Sequence, residues 1–383
     1  MSKTVDRSAD TGSGTPEPSA QVLTGRSEVR VWTAVVSFAA IAALAFSIFA
    51  FARADSPVNV KASSAAPAAD NGAATAGQKI DFSAEPPAGF KAKDPTAPAP
   101  STETVHKVTL HAVEGQVEIA PGIRQEMWSF STDGKDSIPG PVMRGKVGDT
   151  FEFTLVNDGK MGHSIDFHAS MVNPADEMRT INPGEKLVYR FKANHSGIFM
   201  YHCGTPPVVH HVANGMYGAL IVDPPGGLPK VDKELVFLQS DLYTAPAGQL
   251  PALEKIMTGK WDAVVFNGYV NQYAAQPIRV EPNERIRVWV LNLGPQADSA
   301  FHVIGTIFDT VYKEGAYLLR PGPEAGGSQA LDLEPAQGGF VEFTLPVPGT
   351  YTFLTHKLVD ASKGALGVFQ AGEPAQADEP MEH

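Results

Sequence analysis

The segment MYHCGTPPVVHHVANGM, from Met200 to Met216, carries the only cysteine of a 383-residue chain, with three of its eleven histidines and two methionines. A soft thiolate, two imidazoles and a weak thioether form the donor set of a mononuclear blue-copper centre. Cys203, His211 and Met216 supply three of these donors from one loop, and His163, about 40 residues upstream, offers the second imidazole. Taken singly, a cysteine is usually a small buried hydrophobe and a methionine fills core space. The spacing of all three in one loop favours ligation instead.

Strand parity separates a second group of candidates, because neighbours on a strand point to opposite faces and residues two apart share one. In GHSIDFH, His163 faces one side while Asp166 and His168 share the other; in MYHC, Cys203 and His202 oppose each other. If His163 and Cys203 hold a metal inside a sandwich, His168 and His202 lie outside it with Asp166 beside them. Two histidines are too few for a catalytic metal, which usually takes three protein ligands and an open position. The missing imidazole must come from elsewhere, and His356 in TFLTHKL and His302 in FHVIGTIFD are the candidates.

The elements that must position these residues read as strands. With 36 Gly, 31 Pro and 19% charged residues, the composition favours turns and short strands over long helices. Runs such as HKVTLHAVEGQVEIA, TFEFTLVND, KLVYRFKA and GALIVDPP are β-branched or aromatic and end at Gly, Pro, Asn or Asp. The pattern restarts near residue 230 with ELVFLQSDLY and IRVEPNERIRVWVLNL. The expected class is all-β, with two tandem cupredoxin-like Greek-key sandwiches over residues 105–225 and 226–372. NPGEKLVYRFKANHSGIFMYHC and EPAQGGFVEFTLPVPGTYTFLTH read as an internal repeat, with Thr355-His356 standing where the first copy has His202-Cys203. A single cysteine excludes an intrachain disulfide framework. The net charge of −12 argues against a nucleic-acid partner.

Before the sandwiches, Val31 to Phe51 is a run of 21 uncharged residues, long enough to cross a bilayer. Lys3, Arg7, Arg26 and Arg30 precede it, which places residues 1–30 in the cytoplasm, a transmembrane helix at 31–53 and the remaining chain outside the cell membrane. A cleaved signal peptide at Ala52-Arg53-Ala54 is the competing reading, although signal cores run only about 7–15 residues. Residues 54–104, rich in Ala, Pro and Gly, read as a disordered linker, and 373–383 as a disordered tail.

Over about residues 105 to 372 the sequence resembles the copper-containing nitrite reductases, in the loop HCGTPPVVHHVANGMYG, which looks like that of the more compact subgroup, and in the phrases VVFNGYV, SAFHVIGTIFD and KGALGV. The resemblance implies a type 1 copper on His163, Cys203, His211 and Met216, and a type 2 copper on His168, His202 and His356. It implies Asp166 and His302 as the catalytic pair and Ile304 as the apolar residue shaping the pocket. It further implies a homotrimer in which His356 reaches a copper held mainly by a neighbouring subunit, and a small cupredoxin or cytochrome c as electron donor. The reaction would be one-electron reduction of nitrite to nitric oxide, falling in rate as pH rises. The segment around residues 330 to 332, usually Thr-rich in the family, reads Ala330-Leu331-Asp332, and His210 beside His211 is unusual. A laccase-type oxidase would need paired His-x-His motifs, which the chain lacks. An electron carrier, or a two-copper enzyme acting on another small substrate, is the alternative function.

Overall fold

The computed structural model describes residues 77–373. The first sandwich is built from β1 (Val105–Ala120), β2 (Ile123–Ser131), β3 (Val142–Lys146), β4 (Thr150–Asn157), β5 (Asp166–Phe167), β6 (Lys186–Lys192), β7 (Gly197–His202) and β8 (Tyr217–Asp223). One sheet runs β2-β1-β4-β6 and the other β3-β8-β7-β5. Alternation decides what faces inward: in KLVYRFK of β6, Leu187, Tyr189 and Phe191 are buried while the residues between them are exposed. They join Leu110, Phe130, Phe153, Phe167 and Tyr201 in one core, which also contains Cys203 and Met216.

The second sandwich comprises β9 (Lys233–Leu242), β10 (Ala263–Phe266), β11 (Ile278–Val280), β12 (Ile286–Asn292), β13 (Ser299–Val303), β14 (Thr310–Lys313), β15 (Ala316–Leu319), β16 (Leu331–Leu333), β17 (Gly338–Phe343), β18 (Gly349–Thr355) and β19 (Leu366–Ala371). Its sheets run β10-β9-β12-β17-β14-β15 and β11-β19-β18-β13-β16. Phe237, Phe266, Phe301, Phe353 and Phe369 fill the space between them. All-β architecture with two cupredoxin-like sandwiches is therefore what the chain adopts.

A third apolar layer joins the sandwiches. Ile198 and Met200 of β7 and Tyr217, Ala219 and Ile221 of β8 pack against Val236, Leu238, Trp289, Leu291 and Phe340. Strand β8 is thus buried on both faces, Leu220 and Val222 looking into the first core and their neighbours into this layer. That is why YGALIVD is apolar without alternation. A charged network crosses the same boundary. Glu234 accepts from Arg144, Arg287 and Trp289, while Arg144 also bonds Asp223 and Arg287 also bonds Glu342. Both arginine side chains are only 2% exposed, so their charges depend on these carboxylates.

Two expectations are revised. The linker expected at 54–104 is not a free tether over its described part, 77–104. Val236 N–H donates to the Pro95 carbonyl (2.7 Å), Ala97 N–H to the Glu234 carbonyl (2.9 Å) and the Tyr273 hydroxyl to the Lys93 carbonyl (3.0 Å). Ile80 and Ala97 of this strap are buried. A Pro/Ala-rich segment builds no sheet of its own, yet its backbone groups pair with an existing one. The repeat also shifts by one residue: Gly197 and Gly349 share φ values of 153° and 154°, and six residues on from each stand Cys203 and Thr355, both buried. Thr355, rather than His356, occupies the cysteine's place. Residues 1–76 and 374–383, with the expected membrane helix and tail, lie outside the described residues; no described helix is long and apolar enough to cross a membrane.

Glu234→Gln should lower the thermal unfolding midpoint, since weakening a buried ion network while keeping its cations costs about 3 kcal/mol. A variant as stable as the wild type would show that Asp223 and Glu342 suffice.

Candidate metal centres

Among the described residues, two groups of histidine, cysteine and carboxylate side chains come close enough to hold a metal ion. The first is His163, Cys203 and His211, all buried, with their ligand atoms within 4.8 Å of one another. Cys203 follows the last residue of β7, and its N–H donates to the Met216 carbonyl (3.1 Å), which closes the ligand loop on itself. Between them lies the short helix Val208–Ala213, ended by Asn214 and then Gly215 at φ 104°. A Cβ at 215 would sit 2.9 Å from the Trp128 carbonyl oxygen, so glycine is required for the chain to turn back to Met216. Met216 is fully buried in the same core as Cys203.

This site fits a copper ion on its own evidence. His163 Nδ1 and His211 Nε2 are buried without hydrogen-bond partners, an arrangement that costs stability unless something else occupies their lone pairs. Desolvation holds both imidazoles below the usual histidine range and so keeps them in the neutral, ligating form. The Ser164 N–H points at the Cys203 sulfur from 3.4 Å, a contact of the kind that tunes copper–thiolate centres.

The second group is Asp166, His168 and His202. Asp166 is the cross-strand partner of His202 in the β5–β7 pair, and the two imidazole Nε2 atoms of His168 and His202 lie 3.0 Å apart. His202 Nδ1 donates to the carbonyl of Cys203 (2.9 Å), which leaves Nε2 free to ligate. The parity expected from the sequence holds: Cys203 is buried in the core, His202 is half-buried on the other face, and His168 is exposed.

His302 and His356 form a separate pair in the second sandwich, with ring centroids 5.6 Å apart, and belong to neither group. His302 donates through Nδ1 to the Gln329 carbonyl, so a backbone acceptor orients it where the sequence lacks the threonines. Asp332 instead pairs with Lys313 at 2.8 Å. Ile304, two residues after His302, is half-exposed. His210 is half-buried, bonds the Pro251 carbonyl (3.1 Å) and meets the Trp128 ring edge-on.

Two residues around the first centre carry no recognisable sequence signal. Trp128 packs 4.8 Å from the His211 ring and 5.8 Å from His163. Glu114 accepts from His163 Nε2 at 3.1 Å and from the N–H groups of Lys160 and Met161. Burial pushes its carboxyl up, but these hydrogen bonds outweigh it and hold the group below the usual glutamate range.

Known proteins resemble the chain in sequence and fold. Residues 112–227 match the multicopper oxidase family model. The chain is 37% identical over 272 residues to the copper-containing nitrite reductase of Neisseria gonorrhoeae, covering 68% of this chain and 67% of that one. It is 32% identical over 277 residues to the copper-containing nitrite reductase of Alcaligenes xylosoxydans xylosoxydans, covering 64% of this chain and 80% of that protein. Among solved structures, the copper nitrite reductase from Nitrosomonas europaea superposes with a TM-score of 0.63 at 35% identity, covering 70% of this chain and 94% of that chain.

Proposed function

The chain belongs to the copper-containing nitrite reductases, and from that membership we propose how its own residues reduce nitrite, with one electron and two protons, to nitric oxide and water. The observation that carries the reading is the split of the second centre: one chain offers His168 and His202 on the first sandwich and His356 on the second, in separate places. His163, Cys203, His211 and Met216 would hold a type 1 copper, and His168, His202 and the His356 of a second copy would hold a type 2 copper. When bound, these coppers supply a one-electron couple and a Lewis acid that polarises nitrite.

The residues have distinct tasks. Cys203 and His202 are consecutive, so the two sites they would serve are joined by a short covalent path, with a small cupredoxin or cytochrome c as the proposed electron donor. Asp166, beside His202, would relay one proton to nitrite. His302, its Nδ1 committed to the Gln329 carbonyl, exchanges the second proton through Nε2. The two protons leave in water with one nitrite oxygen. Ile304 supplies an apolar wall that confines the small anion.

The active form on this reading is a homotrimer. Ile304, Ile307, Leu358 and Val359, all at least half-exposed near His302 and His356 in the sequence, support a face that another copy covers. Such a head-to-tail contact leaves no open end when it closes into a ring. The uncharged run Val31–Phe51 supports a single-pass anchor, with a cytoplasmic N-terminus and the catalytic domains on the extracytoplasmic side of the cell membrane.

Chains carrying His168→Ala and chains carrying His356→Ala should each be inactive, yet regain nitric oxide production when co-expressed. Mixed assemblies then contain interfaces with all three histidines, and absence of recovery would place each site within one chain. Asp166→Asn should retain both coppers while turnover falls about 10²–10⁴-fold, as for loss of an acid–base group; normal turnover removes Asp166 from proton delivery. Full-length protein should stay with membranes through an alkaline carbonate wash, whereas release into the supernatant would contradict the anchor.

A further inference from the structure

Glu114 and Trp128 are cross-strand partners in the β1–β2 hairpin, so their side chains emerge side by side on one face. Together they back the two imidazoles of the thiolate centre. Trp128 packs on His211 and His163, while the Glu114 carboxylate receives the Nε2–H of His163. The two imidazoles are held differently. His211 has only a neutral carbonyl, that of Pro207, opposite its Nδ1 (3.2 Å). His163 has an anion.

The contact with Glu114 is built into the fold. Three donors converge on one carboxylate oxygen: Lys160 N–H at 2.6 Å, Met161 N–H at 3.1 Å and His163 Nε2–H at 3.1 Å. Gly159 leaves room for it, since a Cβ there would lie 2.5 Å from that oxygen and 3.0 Å from His163 Nε2. With Nε2 protonated and bonded to an acceptor-only group, the lone pair of His163 sits on Nδ1, the atom that is buried and unpartnered.

We propose that Glu114 is a positioning residue that orients His163 as a ligand and, through the charge it places on that imidazole, sets the reduction potential of the thiolate centre. This rests on the two-copper reading above. A carboxylate bonded to a ligating imidazole makes it a stronger donor and favours the more highly charged metal. It therefore stabilises Cu(II) over Cu(I) and lowers the potential, so that the electron taken from the donor is more readily passed on from Cys203 to His202.

The test uses full-length, copper-loaded protein without nitrite, measuring the midpoint potential by spectroelectrochemistry, the visible thiolate band and copper content. Glu114→Gln keeps the size and the accepting oxygen but loses the charge. It should retain band and copper while shifting the Cu(II)/Cu(I) preference about tenfold, a rise of ~59 mV for one electron. Glu114→Ala should in addition weaken copper binding at this centre by about 10–100-fold. Gly159→Ala, which forces the contact apart with every charge retained, should also raise the potential. An unchanged potential in Glu114→Gln, or loss of its band and copper, overturns the proposal and leaves Glu114 a structural residue. Because no readout involves nitrite, a failure of the substrate assignment would appear separately, as a wild type with normal band and potential but no nitric oxide.

Discussion

One pleat of one strand shapes both candidate metal centres. At the end of β7, Cys203 turns into the first core among Phe167, Tyr201 and Met216, and the residue before it must turn the other way. That other face is where Ile198 and Met200 are covered by the second sandwich, and His202 emerges where the covering ends. The carbonyl of Cys203 then orients His202 through Nδ1, so the cysteine fixes the second centre as well as the first. The segment running through β5 repeats the logic from across the ladder, with His163 inside and Asp166 and His168 outside.

The second sandwich is needed for this arrangement even before it contributes a ligand. A strand with one apolar and one polar face could rest on a single core, but β7 and β8 carry apolar residues on both. Left open, Ile198, Met200, Ala219 and Ile221 would expose a contiguous apolar patch beside His202. Covering it desolvates Arg144 and Arg287, and Glu234, Asp223 and Glu342 offset that cost. The rigidity of the centres thus draws on a polar boundary that neither sandwich possesses alone.

The gathering of His163, Cys203 and His211, and of Asp166, His168 and His202, was legible in the sequence because it depends on rare residue types at fixed offsets: one cysteine, a histidine and methionine in the following loop, and two-residue parity. The supporting residues were not. Glu114 and Trp128 sit within ordinary amphipathic strands far from the ligand loop, and only the hairpin register brings them together. The orientation of His302 rests on a backbone carbonyl, which any residue at position 329 can supply. The strap at 77–104 was misread because composition reports whether a segment can fold by itself, whereas this one borrows hydrogen bonds from the edge of another sheet.

The duplicated fold also accounts for why His168 and His202 stand apart from His302 and His356. In both sandwiches a strand leaves a glycine near φ 154° and reaches a buried residue six positions on: Cys203 in the first, Thr355 in the second. Replacing a thiol by a threonine whose hydroxyl accepts the Ala300 N–H removes any metal from the second interior. The imidazole survives outside, preceding the buried position as His202 and following it as His356. The strand paired alongside adds a polar group in each case, Asp166 opposite His202 and His302 opposite Leu354. Each sandwich therefore presents half of a site at equivalent ends, facing away from its own core. His302 and His356 stay apart from the Asp166, His168 and His202 group within one chain, and on the reading proposed above a second copy placed head to tail brings the two together.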